Sequence, residues 1–320
     1  MEPLPKGANF VRGKTLWEIG LHIAGNPATP YGGNRDMVIT VGSGAGERFR
    51  PWLRLATGSA ILAEGVVAGD VEAAFVNPSA LLTQAYRGVG LFKTPLPVRI
   101  IASYPSWDRF VMAFHPRTGI RSVADIKAKK YPLRVSVRED PTHSTIVLID
   151  QIFALHGFTL KDIESWGGKL VRCGGPGDER RRMEPMVRGE IDAIFDEGIK
   201  PWLAAALDAG LMPIGFDDSE YAQLGKLGWR RVTIPKSRFP GLPHDVDSLD
   251  FSGWPIYCSA SLPDQTAYDI CAALAAREAE VPWEKGTDGN AVQAVTETDA
   301  TPMDVPLHPG AERWLHEQAS

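Results

Sequence analysis

Cysteine is scarce: the 320 residues contain three, Cys173, Cys258 and Cys271. They form no CxxC pair, and none stands at metal-ligand spacing from a histidine. Neither a disulfide framework nor a structural zinc site is expected. Long apolar runs are missing too. From Met1 to Asn34 there is no continuous apolar stretch of the kind an export signal carries, and no later segment reaches the roughly 18 apolar residues of a membrane span. On this basis the chain as written is soluble and cytoplasmic, or periplasmic if a leader was removed. Massed positive charge is also absent. The net charge is −5 and basic residues are scattered, which excludes a nucleic-acid surface built on counterion release. The one dense basic run, Arg180-Arg181-Arg182, reads as a solvated helix end. The glycine loop from Gly42 to Gly46 has neither the GxGxxG pattern nor the Gly-Lys-Ser/Thr ending of a P-loop, so nucleotide is not the expected ligand. No cofactor and no metal is called for, and there is no repeat at solenoid spacing.

What is present is the composition of an ordinary globular protein, 44% hydrophobic and 23% charged, long enough for two units of roughly 100 to 200 residues. Leu16 to Ala24 reads as an N-terminal helix ahead of a Gly/Pro/Asn-rich connector. Met37 to Val41 predicts a strand, followed by the glycine loop and a helix over Phe49 to Leu62. The same order recurs at Glu72 to Val76, where Asn77-Pro78-Ser79 starts the helix Ala80 to Tyr86. Val98 to Ser103 and Phe110 to His115 are further strands. A second unit begins after Pro116. Its strands are Leu133 to Val137, Leu170 to Cys173 and Ile191 to Phe195, and its helices include Ile146 to His156 and Pro201 to Ala209. A last long helix, Asp264 to Glu278, starts behind Leu262-Pro263. Strands alternating with helices imply parallel sheet order, with ligands collecting at the carboxyl ends of the strands.

Several segments resemble the TAXI branch of the TRAP-transporter solute receptors. These are Val41-Gly42-Ser43-Gly44-Ala45-Gly46, Gly69-Asp70-Val71-Glu72-Ala73-Ala74-Phe75-Val76-Asn77, Gly119-Ile120-Arg121-Ser122-Val123-Ala124-Asp125-Ile126-Lys127, Leu262-Pro263-Asp264 and Leu307-His308-Pro309-Gly310-Ala311. The likeness runs from about Val38 to Glu317 and rests on the order and spacing of the motifs together. It implies an α/β fold, a two-lobed type II periplasmic-binding-protein-like clamshell, each lobe a mainly parallel sheet flanked by helices, with two hinge crossings. One lobe would comprise 1–113 plus 236–320, with an N-terminal extension over 1–36, and the other 114–235. The partners implied are a small organic acid and, for a receptor, membrane TRAP permease subunits; the oligomeric state stays open. Where the family carries a small Ser/Gly/Thr turn, this chain has Asp140-Pro141-Thr142-His143-Ser144-Thr145.

In such a clamshell the loops after the strands touch the ligand. That selects Ser43, Gly44, Asn77, Ser79, Trp107, Arg109, Thr142, His143, Ser144, Thr145, Asp196 and Glu197. Helix N-termini behind Gly44, Ser79 and His143 favour an anion, and Arg109 pointing inward would add a bidentate clamp. Asp196-Glu197 fits an anion site poorly, and would bind a ligand amine or hydroxyl, hold Arg109, or face solvent. Two functional expectations follow: binding of a carboxylate-bearing solute with hinge closure, or a cytoplasmic enzyme on the same scaffold, for example a decarboxylase of small aromatic acids, with His143, Asp140, Asp196 and Glu197 as the proton-handling groups. His308 is expected to be a structural hydrogen-bonder, and Cys173 to lie in a flexible turn.

Overall fold

The structure is a computed structural model that describes residues 8–25, 37–42, 52–58, 60–287 and 289–319. Ser43, Gly44 and the rest of the glycine loop after Gly42 lie outside the described residues. Helix α1 (Ala8–Gly25) precedes β1 (Val38–Gly42) and β2 (Trp52–Ala56). β2 occupies part of the stretch expected to be a helix. It pairs with β1, and Arg54 at its centre joins Glu72 through both backbone N–H (2.6 Å) and guanidinium (2.8 Å), fixing it beside the next strand. Next come α2 (Leu62–Ala68), β3 (Ala73–Phe75), α3 (Ser79–Arg87), β4 (Val98–Tyr104) and β5 (Arg109–Phe114). The second unit continues with α4 (Val123–Lys129), β6 (Arg134–Arg138), α5 (Ser144–His156), α6 (Leu160–Ser165), β7 (Lys169–Cys173), α7 (Glu184–Val187), β8 (Ala193–Asp196), α8 (Leu203–Asp208), β9 (Met212–Ile214), α9 (Asp218–Lys226), β10 (Arg231–Ile234) and β11 (Val246–Asp250). The chain ends with β12 (Trp254–Ser259), α10 (Asp264–Ala276), α11 (Ala291–Ala294) and α12 (Pro309–Gln318).

Two sheets result, in the orders β1-β2-β3-β12-β4 and β10-β11-β5-β8-β6-β7, with β9 added against β5. They are mixed rather than mainly parallel. β2 runs parallel to β3, and β6 is parallel to β7 and β8, but β12 is antiparallel to both its neighbours and β5 to β8, β9 and β11. The reason is connectivity: β5 and β12 each enter one sheet directly from the other, so they run against strands laid down by βα units. By sheet membership the chain crosses at Pro105–Asp108 and Phe251–Gly253, some residues away from the expected boundaries at 113/114 and 235/236.

Helices α10, α11 and α12 cover one face of the first sheet, burying Ile101, Ala102, Cys258, Cys271 and Trp314. Its other face lies under α2 and α3, in a cluster that continues into the second unit: Leu82 and Tyr257 share it with Phe110, Phe153, Trp229 and Phe251. α3 also makes polar contact across the boundary. Gln84 and Gln151 of α5 hydrogen-bond at 3.3 Å, the Arg87 guanidinium donates to the Gly225 carbonyl at 3.3 Å, and a Cβ added to Gly228 would stand 3.0 Å from Thr83 Cγ2. Gly228 has φ +95°, so both its conformation and its closeness to α3 call for glycine.

Candidate functional site

Strand alternation sends Val135 and Val137 of β6 into the core and Ser136 and Arg138 to the opposite face. That face is dry as well, and Arg138 is only 4% exposed. A guanidinium so placed requires anions. Its Nε donates to Asp196 Oδ1 at 2.8 Å, and an Nη donates to Glu197 Oε1. Asp196 ends the neighbouring parallel strand β8 and is fully buried. Its other oxygen receives Arg182 at 2.5 Å, and Arg182 Nε donates to Ser136 Oγ at 2.9 Å. Arg182 has no exposed surface, so of the basic run expected to be solvated only Arg180 and Arg181 face water. Thr145 Oγ1, in the first turn of α5, adds a long hydrogen bond of 3.4 Å to Asp196 Oδ1.

Asp108, from the first crossing, completes the cluster. Its carboxylate accepts the backbone N–H groups of Gly198 (2.8 Å) and Arg109 (2.7 Å), and it is hydrogen-bonded to the Glu197 carboxyl. Two guanidiniums therefore face three carboxyls, and one proton balances the charge. Burial, with Asp108 and Asp196 close by, pushes Glu197 well above the usual carboxylate range against the opposing pull of Arg138. Burial also raises Asp108, while its N–H donors and the hydrogen bond from Glu197 hold it down. Of these two carboxyls, Glu197 is raised the further.

His143 caps α5: its Nδ1 accepts the Thr145 N–H at 3.2 Å, which turns Nε2 to face Glu197 Oε1 at 4.0 Å. With Nδ1 accepting, the neutral ring carries its hydrogen on Nε2. Thr142 and Asp140 are exposed and form the turn ahead of the helix, with both the N–H and the hydroxyl of Thr142 donating to Asp140 Oδ1 at 2.8 Å.

On the first-sheet side, the Ser79 N–H at the start of α3 donates to the Gly253 carbonyl of the second crossing at 3.1 Å. Asn77 Oδ1 beside it is buried without a partner among the described residues. Arg109 does not offer an inward clamp. One Nη donates to Asp250 Oδ1 (2.9 Å) and Ser252 Oγ (2.6 Å), and the other to both oxygens of Asp299 at 2.9 Å. Its guanidinium lies 4.4 Å from the centre of the buried Trp107 ring. Asp196 and Glu197 hold Arg138, not Arg109.

With the two-sheet fold and this cluster in place, one further finding decides the kinship: residues 55–319 match the NMT1-like family. The chain belongs to that family. Solved structures similar to this NMT1-like chain include an R. palustris protein with adipate, 16% identical, TM-score 0.34, with 81% of this chain and 80% of that one covered. A TctC solute-binding protein from Polaromonas is also 16% identical, TM-score 0.34, with 68% of each chain covered. Lactococcal OpuAC complexed with glycine betaine is 10% identical, TM-score 0.36, with 81% and 82% covered.

Of the residues singled out from sequence, the NMT1-like fold gathers Thr145, His143, Asp196 and Glu197 in one cluster. Ser144 starts α5, Asn77 and Ser79 sit at the other helix start, and Trp107 and Arg109 lie in and beside the first crossing. Sequence reasoning missed Ser136, Arg138 and Arg182. Arg138 had a usable signal, since it continues the polar face of a strand whose other face is all valine. Cys173 ends β7, as the strand Leu170 to Cys173 predicts, ahead of a turn over 174–177, and its Sγ lies 3.2 Å from Ser136 Oγ. His308 is fully buried and caps α12 by accepting the Gly310 N–H at 3.2 Å. Among the described residues no three His, Cys, Asp or Glu side chains are placed to hold a metal ion, and no helix is long and apolar enough to cross a membrane.

Proposed function

We propose that this chain is a solute receptor of the TAXI type, which closes its two sheet units on a small carboxylate-bearing molecule. One observation carries the reading. α3, which follows β3 in one unit, and α5, which follows β6 in the other, both have their N-termini fastened to the crossings. Ser79 is fastened through Gly253, and Thr145 through Asp196 and the Glu197–Asp108 pair. N–H groups and partial positive charge from both units are thereby brought to the pivot, where closure would bring them onto one anion. The partners in this reading are membrane TRAP permease subunits. Calorimetric titration of the folded, monodisperse protein with a panel of mono- and dicarboxylic acids, adipate among them, and a quaternary ammonium compound for comparison tests it. Saturable heat with at least one acid is expected. Silence with every acid overturns the proposal.

A second reading is favoured by the upward-shifted carboxyl of Glu197, whose Oε1 lies 4.0 Å from His143 Nε2. In a decarboxylase of small aromatic acids, the bond to the leaving carbon dioxide breaks, its electron pair stays on the ring carbon, and that carbon takes the Glu197 proton. Incubation in heavy water would then give a product with one deuterium at the vacated carbon. Unchanged acid after long incubation, with binding intact, counts against catalysis.

A further inference from the structure

The ion pairs that join the two units share a single polarity. Lys200, between β8 and α8, pairs with Glu284. Arg109, the first residue of β5, pairs with Asp299 through both carboxylate oxygens at 2.9 Å. Arg230, just ahead of β10, lies 3.6 Å from Glu297 and 4.0 Å from Asp304. Every base belongs to the second-sheet unit, and every acid comes from the stretch between α10 and α12. Among the described residues no ion pair joins the units the other way round.

The acid-bearing stretch is anchored to the first sheet. The Trp283 ring stacks on Tyr104 of β4 (centroids 5.7 Å apart, planes 17° apart), and Tyr104 stacks in turn on Trp254 of β12 (4.9 Å, 16°). Trp283 Nε1 donates to the Glu278 carbonyl at 2.9 Å. The ring lies so close over Gly289 that an added Cβ there would be 2.5 Å away. Further along, Ala291 and Ala294 of α11 bury against the first sheet, and the Ile100 N–H donates to the Pro306 carbonyl at 3.0 Å. Moving the second sheet away from the first must therefore separate these charges rather than carry them along together.

We propose that this stretch is an ionic clasp, four acids on one unit against three bases on the other, which holds the units partly closed before any solute arrives. The proposal rests on the solute-receptor reading for its purpose, although its existence does not depend on a ligand. Pairs with exposed members such as Asp299 (66%) and Glu297 (60%) are individually weak and screened by salt. A set of one polarity instead biases an equilibrium between open and closed forms, and a modest bias is enough to change apparent affinity.

The test is small-angle scattering of the unliganded protein, wild type against the triple variant Glu284→Gln, Glu297→Gln, Asp299→Asn, at low and high salt. A second triple, Glu164→Gln, Asp269→Asn, Glu312→Gln, removes the same charge away from the boundary and serves as the control. The expected result is a larger radius of gyration for the clasp variant at low salt, a similar expansion of wild type and control in high salt, and no further salt response in the clasp variant. Lys200→Glu should expand the molecule, and adding Glu284→Lys should restore it. Equal radii and equal salt responses for all three proteins overturn the clasp. Where an acid ligand binds, the clasp variant should bind it about 3- to 10-fold more weakly. If no acid binds any of the proteins, the solute-receptor reading fails, while the scattering comparison still decides the clasp.

Discussion

Two neighbouring arginines, Arg181 and Arg182, have opposite fates. Arg181 is solvent-facing, paired with Asp178 and Glu139. Arg182 is sealed in and shares Asp196 with Arg138. Replacing Arg182 by Met leaves a buried carboxylate with half of its compensation, and should cost about 3 kcal/mol in chemical denaturation. Arg181→Met should cost under about 1 kcal/mol. Equal losses would show that Arg182 is not buried as described. Nothing in a run of three arginines marks the one that turns inward, and the partner that selects it, Asp196, is brought there by a parallel strand pairing that spacing does not reveal. Glu197 gives a prediction in pH. Burial and the neighbouring Asp108 and Asp196 raise its folded value well above the ordinary 4.5. Below 4.5 both folded and unfolded chains hold the proton, whereas above it the unfolded chain releases a proton that the folded one keeps. Stability therefore falls as pH rises from the ordinary value toward the raised one. Glu197→Gln should remove that decline, so denaturation midpoints from about pH 5 to pH 8 should fall in wild type relative to the variant. Parallel midpoint curves would refute the assignment.

The crossings act as a single element although they are far apart in sequence. Ser252 Oγ accepts the Asp108 N–H (2.9 Å) and an Arg109 N–H (2.6 Å) and donates to the Asp108 carbonyl (3.0 Å). Ser252→Ala strands the buried Asp108 N–H and an Arg109 N–H of the first crossing, and should lower stability by about 1 to 3 kcal/mol in urea unfolding. A loss within error of zero would mean that the crossings are not joined there. Much at this scale was legible. The strands β3 to β8 and the helices α3, α5 and α10 follow from apolar runs punctuated by Pro, Gly and capping residues. The antiparallel return of β5 and β12 was not, because strand direction depends on which sheet receives the strand. β11 escaped notice because Val246–Asp250 mixes Asp and Ser into five residues, and its polar members are satisfied only by tertiary partners such as Arg109 and Arg231. α12 lay inside a tail valued for its motif, and its buried Trp314 meets the core only once α10 is in position.

For the whole molecule, the shared core has a thermodynamic signature. Leu82, Tyr257, Phe153, Trp229 and Phe251 bury together across the two sheets, so unfolding either unit exposes apolar surface of the other. A single equilibrium transition is expected, with tryptophan fluorescence and far-ultraviolet circular dichroism coinciding. Two separated transitions would show that the units fold independently. The α/β architecture was legible from βα alternation and the ordered motifs, because each is a local matter of turn chemistry and period. The cluster of Asp108, Arg138, Arg182, Asp196 and Glu197 was only half legible, since it joins four places along the chain that only the finished fold brings together. Finally, all three native thiols are sealed inside, Cys173 and Cys258 with no exposed surface and Cys271 with 1%. Burial pushes the thiols of Cys258 and Cys271 up to about 12, so they stay protonated and slow toward maleimides. The wild-type sequence is therefore a nearly silent background for spectroscopy. A cysteine introduced at an exposed position on each unit should accept a probe without first stripping out the native three, and the distance between two such probes would report any change in the separation of the units in real time.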